Sequence, residues 1–225
     1  MTMVRFMALI GTALMVAAPT TAARTEAART DWAGRVAVTP AGSYVRGNPD
    51  APRKLVEYAS YTCDHCAHFS AEAATPLARA IAGGKVSIEF RHALRDRLDL
   101  TAALLARCAG PARFFAASEA IFAEQKAWID RTIAYEQAER AALEAASPVE
   151  RIRMTARASG LTAIVARFGV SAERANACLA DPAQQKTLID QANEAWSERR
   201  IPGTPHFILN GTPVAANDWP GLAPL

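Results

Sequence analysis

The chain has 225 residues, of which 51% are hydrophobic and 21% charged, with a formal net charge of +3. This is the composition of a globular protein with room for one large domain, or a domain carrying an insertion, and a core that needs no metal or disulfide to hold it. So small a charge surplus, with no basic cluster, excludes nucleic acid or an anionic membrane as partner.

In chain order, the first element is a signal peptide over residues 1–23. Arg5 supplies the positive region, Phe6 to Ala18 is apolar except at Gly11 and Thr12, and Pro19 to Ala23 is rich in the small residues of a cleavage site. The alternative, an uncleaved anchor, fits a run this short less well; in either case the folded part lies outside the cytoplasm. Loss of the leader removes a single charge, Arg5, and leaves +2. Residues 24–34 lack periodicity and read as a flexible segment. A strand is expected over Arg35–Thr39, followed by the turn-rich GNPDAP at 47–52. Lys54–Ser60, KLVEYAS, is short and apolar, as a buried strand should be, and a helix follows over Ala67–Ala82, kinked at Pro76 and stopped by Gly83-Gly84. Lys85–His92 alternates apolar and polar residues and reads as the next strand.

From Asp99 to Asp181 the signals are helical. Phe114, Phe115, Ser118, Ile121 and Phe122 form one stripe that reads as core, and Ser147-Pro148-Val149-Glu150 is a capping box. Asp181-Pro182 opens a helix to about Arg199. The chain then returns to strand at Pro205–Leu209, turns at Asn210-Gly211 and continues through Thr212–Ala216. The resulting order is two pieces of one α/β sheet, residues 35–98 and 182–225, interrupted by a helical insertion at 99–181.

The chemistry is concentrated in YTCDHCAHFS, residues 61–70. Covalent haem attachment needs histidine directly after the second cysteine, and that position is Ala67. Structural zinc needs four ligands. Cys63, Cys66 and His68 are local, but Cys108 and Cys178 are isolated and form no second pair. A structural disulfide across two residues closes too small a loop to constrain much. Reversible thiol–disulfide chemistry accounts for the pair best. The strand-to-helix junction puts Cys63 at a helix start, where free amides and the helix dipole favour an anionic sulfur. His65 is expected to add a donor or a positive charge, and Cys66, one turn inward, to be the covered resolving thiol.

With LVEYASYTCDHC at 55–66, GNPDAP before it, the long helical block after it and GTPHFILNG at 203–211, the chain resembles the DsbA family of periplasmic thiol–disulfide oxidoreductases. The resemblance covers nearly all of the chain after the leader. It implies a thioredoxin fold with an inserted all-helical domain, Cys63 as attacking and Cys66 as resolving cysteine, and Pro205 as a cis-proline preceded by Thr204, both facing the pair and binding substrate. Glu57 falls where the family often places an acid that passes protons to the resolving thiol; a solvated strand position is the bland alternative, and its apolar neighbours weigh against it. Asp64 stands where many strong oxidases of the family carry proline, and a carboxylate there should make the pair less oxidising. The closing helix of the family should be short or missing, because four residues follow Gly221.

The implied activity is dithiol–disulfide exchange in exported proteins, by a periplasmic monomer without metal or organic cofactor, most readily as an oxidase. A DsbB-like, quinone-linked membrane oxidase is the expected reoxidant. The rivals are an isomerase or reductase, and a non-enzymatic metal carrier or peptide-binding chaperone built on the same cysteines. Cys108 and Cys178 are expected to pair in an oxidising compartment, with two buried free thiols as the alternative. His68, His92 and His206 are expected at surface or hydrogen-bonded positions.

Overall fold

The computed structural model describes residues 31–225; the expected signal peptide, 1–23, and residues 24–30 lie outside the described residues. Of the segment read as flexible, Trp32–Gly34 form a 3-10 turn capped by the Asp31 side chain, with the Trp32 indole packed over Gly84.

A six-stranded mixed sheet organises the chain. Its strands are β1 (Val36–Val38), β2 (Tyr44–Gly47), β3 (Arg53–Ala59), β4 (Val86–His92), β5 (His206–Leu209) and β6 (Thr212–Val214), in the order β1-β2-β4-β3-β5-β6. The central β3 runs parallel to β4 and antiparallel to β5, so Glu57 lies between Phe90 and Phe207. Strand β2 is absent from the sequence reading: four residues ending in glycine carry too little β pattern, and it becomes a strand by pairing with β1 and β4. Gly47 at its end has φ +117, and a Cβ there would meet the Val86 carbonyl at 2.9 Å. The β5–β6 hairpin turns on Asn210 and Gly211, both at positive φ, as a two-residue turn requires.

Alternation along β3 sorts its side chains. Leu55 and Ala59 join the main core with helix α1 (Asp64–Ala82), while Tyr58 faces a second cluster with Ala93, Ala195, Ile201 and Ile208. Glu57 is in register with Leu55 and Ala59 and is therefore on the α1 side. Helix α1 starts three residues before the expected Ala67, because Asp64 supplies a first-turn acid and Cys63 takes the N-cap; it continues unbroken through Pro76.

Seven helices follow β4: α2 (Arg97–Cys108), α3 (Pro111–Ala123), α4 (Gln125–Ala138), α5 (Arg140–Ala145), α6 (Pro148–Ser159), α7 (Leu161–Ala166) and α8 (Ala172–Leu179). They span 97–179, set against the 99–181 expected. Ser147 caps α6 through the Glu150 amide, and Gly160 closes it at φ +83. Then α9 (Pro182–Asn193), capped by Asp181, runs into a π-helical turn, Glu194–Glu198, and a four-residue helix, α10 (Trp219–Leu222), ends the fold.

One histidine departs from expectation. His92 is fully buried among the rings of Tyr61, Phe90 and Phe114, and neither ring nitrogen has a hydrogen-bond partner. Burial, with the Arg107 charge, holds it well below the ordinary 6.5. Below pH 6.5 the unfolded chain therefore binds a proton that the folded chain does not, and stability falls with pH. At about 1.36 kcal/mol per pH unit the loss reaches about 2 kcal/mol at pH 5. The His92→Leu variant should lose less stability than the parent between pH 7 and 5 by that amount; equal losses in urea titrations would overturn the assignment.

Candidate active site

The turn from β3 into α1 is held from three sides by the helical block. The buried Asp99 carboxylate accepts the Tyr61 amide at 2.7 Å and the Arg95 amide at 3.1 Å, and the Thr62 hydroxyl donates to Asp96 at 2.8 Å. From the start of α4, Gln125 Nε2 donates to the Tyr61 and Cys63 carbonyls at 2.9 and 2.7 Å. Tyr61 is fully buried, its hydroxyl 2.6 Å from Ser118 Oγ on α3. The chain path through the two cysteines is thus fixed by backbone hydrogen bonds to buried side chains.

Cys63 is 3% exposed and Cys66 is fully covered; both are free thiols. The Thr204–Pro205 peptide is cis, and the Cys63 Sγ donates to the Thr204 carbonyl at 3.1 Å. That bond favours the thiol. Against it stand the Cys66 thiol, the Thr204 side chain, the Cys66 amide and the Arg95 charge, which together outweigh burial and lower Cys63 from 9.0 to about 5. Cys66 moves the other way, strongly upward, because it is desolvated, donates to Cys63 and shares its surroundings with Glu57. Glu57 is 5% exposed, and burial followed by the Cys63 charge raises its carboxyl to about 8. One thiol is therefore poised as an anion while the other, with its neighbouring carboxyl, keeps its proton at neutral pH.

The structure brings Cys63, Cys66, Glu57, Thr204 and Pro205 together. Asp64 and His65 occupy the exposed first turn of α1, where the Asp64 carboxylate accepts the His65 amide at 2.9 Å. The His65 imidazole is not among the largest influences on Cys63; Arg95 fills the part expected of it. His68 pairs with Glu72 at 3.1 Å, and His206 is half-buried after the cis bond. Cys108 and Cys178 are bonded, well away in sequence, across α2 and α8. Among the described residues no three His, Cys, Asp or Glu side chains cluster as a metal site. Sequence reasoning missed Arg95, Asp99 and Gln125. The Asp96–Asp99 spacing is a helix-cap signal, but nothing local marks Gln125.

Comparison with known proteins decides the family. The thioredoxin description matches residues 39–223. The chain belongs to the thioredoxin family. Within that family, a relative from Rickettsia bellii named "putative protein-disulfide oxidoreductase" is 30% identical over 169 residues, 74% of this chain and 56% of its own. A relative of the same name from Rickettsia felis is 30% identical over 52% of its length. The chain thus spans about half the length of the curated relatives it matches. The crystal structure of a protein-disulfide isomerase from Novosphingobium aromaticivorans superposes with a TM-score of 0.73 at 34% identity, covering 80% of this chain and 93% of that one. The alpha-DsbA1 of Wolbachia pipientis shares the fold, with a TM-score of 0.59 at 23% identity over 76% of each chain. The family fold is the thioredoxin sheet with inserted helices, as in DsbA structures.

Proposed function

We propose that the chain is a thiol–disulfide oxidoreductase of the DsbA type, acting as an oxidase on cysteine-containing exported proteins in the periplasm. The observation that carries this reading is Cys63 at a helix N-cap, 3.1 Å from the carbonyl of the cis Thr204–Pro205 peptide and lowered toward the anion, with a fully covered Cys66 one turn on. In the oxidised enzyme Cys63 and Cys66 are bonded. A client thiolate attacks the Cys63 sulfur, the Cys63–Cys66 bond breaks, and Cys66 leaves as thiolate and takes a proton from Glu57. A second client thiolate then attacks the client sulfur of the mixed disulfide and releases Cys63 as a stable thiolate. Client dithiol becomes disulfide and enzyme disulfide becomes dithiol, two electrons changing hands. The half-buried backbone at Thr204, beside the Cys63 sulfur, pairs with an extended client segment. A DsbB-like membrane oxidase fits as reoxidant.

Ionisation of Cys63 near 5 favours the reduced form at pH 7 by about 3 kcal/mol, equivalent to about 60 mV towards an oxidising couple. The second reading, isomerase, is favoured by the name of the Novosphingobium relative. Glutathione equilibration separates the two together with turnover on reduced and on scrambled ribonuclease. A potential between about −120 and −180 mV with oxidation of the reduced client supports the oxidase, while a value near −270 mV overturns it. Stoichiometric metal without turnover would favour a carrier instead.

Asp64 tunes the same equilibrium. It sits at the first position of α1, which proline also suits, and its carboxylate opposes the neighbouring thiolate. Asp64→Pro should raise the potential by on the order of 15 mV, or about half a unit in the Cys63 pKa. An unchanged or lower potential would remove Asp64 from the tuning groups.

A further inference from the structure

Each turnover puts one proton on Cys66 or takes one off, yet Cys66 is fully covered and Glu57 is 5% exposed. The cysteine face gives no route to water at the moment a proton must move, because a client held in mixed disulfide at Cys63 lies across it. Behind the pair, between α1 and α3, is a cavity of about 40 Å³. Its floor is Glu57 with Phe90 and Ile88, and its rim is Ser70 and the exposed Ala74 on α1 and Glu119 on α3. A water needs about 10–15 Å³ of such space, so about three fit. Cys66, Ser70 and Ala73 share one face of α1 at helical spacing, so the cavity begins one turn below the resolving thiol.

The mouth is polar and charged. Arg46 from β2 lies over the Phe115 ring, 4.6 Å from its centroid, and pairs with Glu119 at 3.2 Å. Its Nε is buried with no partner among the described residues, a donor that water in the cavity would satisfy. Burial and the Cys63 charge, rather than a hydrogen bond from the protein, act on the Glu57 carboxyl at the other end. The groups that line the cavity with charge or a titratable carboxyl are therefore Glu57, Arg46 and Glu119; Cys63 and Cys66 do not line it, and Cys66 lies one helical turn before Ser70 on α1.

We propose that this cavity is the proton path of the buried pair: water in it joins the Glu57 carboxyl to solvent at Arg46–Glu119, with Glu119 the outermost acid of the relay. The inference rests on the reading above that Glu57 exchanges protons with Cys66. In the mixed disulfide Cys63 carries no charge and Glu57, having given its proton to Cys66, is a carboxylate; in the release direction the Cys66 thiol gives that proton back to Glu57 and attacks Cys63. The client thiolate leaves and is protonated from solvent, and Glu57 returns its proton through the cavity to Glu119 and water.

The test is the single-turnover release of a fluorescent peptide from a preformed Cys63 mixed disulfide, in H₂O and D₂O. Ser70→Leu fills the cavity, and Glu119→Gln removes the outer acid. We expect release to slow about tenfold in Ser70→Leu and about threefold in Glu119→Gln, with a larger solvent isotope effect in each and the Cys63 thiolate titration unmoved. In a Glu57→Gln background, Ser70→Leu should slow release no further. Should Ser70→Leu fail to fold, Ala74→Leu at the rim takes its place. Additive slowing in the double variant, or unchanged release in the filled variant while Glu57→Gln is slow, overturns the path and leaves the Glu57 reading standing. Unchanged release in Glu57→Gln removes both.

Discussion

Replacing Cys63 with serine should lower exchange by at least about a thousandfold, to the rate of free thiols in solution, because the thiolate is the nucleophile and the leaving group of the cycle. Cys66 cannot stand in for it: it is fully covered, and desolvation pushes its ionisation far up. Cys66→Ala should behave differently. Without Cys66 the enzyme holds no disulfide to give a client, but the Cys63 thiolate still attacks a client disulfide, releases one client thiolate and, with no Cys66 to displace the other, accumulates mixed disulfides visible as reductant-sensitive bands on non-reducing gels. The Cys66 thiol is also the largest of the groups that favour the Cys63 anion, so the thiolate absorbance of Cys66→Ala should titrate above 5. Full turnover in Cys63→Ser would exclude the cysteine cycle. A titration left at 5 in Cys66→Ala would show that Arg95 and Thr204 suffice to hold the anion.

The parts of the site that the sequence made legible are those whose signals are local. The spacing of Cys63 and Cys66 after an apolar strand, the Thr204-Pro205 pair before Asn210-Gly211, and the caps at Ser147 and Asp181 are each written within a few residues. The apolar neighbours of Glu57 point to its burial, and alternation along β3 explains it: Glu57 shares the α1 face with Leu55 and Ala59. The parts that were missed come from tertiary contact. Arg95, from the strand–helix connection after β4, donates to the Thr62 carbonyl and acts on Cys63 through its charge, and Gln125 reaches the Tyr61 and Cys63 carbonyls from 62 and more residues away. His65 looked like the natural source of charge because it is adjacent in sequence, but at the second position of α1 its ring is exposed. His92 looked ordinary because nothing in KVSIEFRH reveals that Tyr61, Phe90 and Phe114 close around it.

Loss of the Cys108–Cys178 bond should be the largest single change in stability. The bond joins the end of α2 to α8, the first and last helices of the block, and closes a loop of 70 residues. Chain entropy alone then gives about 4 kcal/mol, because the unfolded chain with this link explores far fewer conformations. For a domain of this size the paired Cys108→Ala/Cys178→Ala replacement should lower Tm by about 10 °C. Reductant should lower the parent's Tm by a similar amount and leave the double variant unmoved. The active-site potential should barely change, because Asp99, which fixes the Tyr61 amide, lies in the first turn of α2, more than two turns from Cys108. A matched fall in Tm and shift in potential would instead mean that the bond sets the position of α2 against the cysteine turn, with the helical block acting on the chemistry as well as on the stability of the fold.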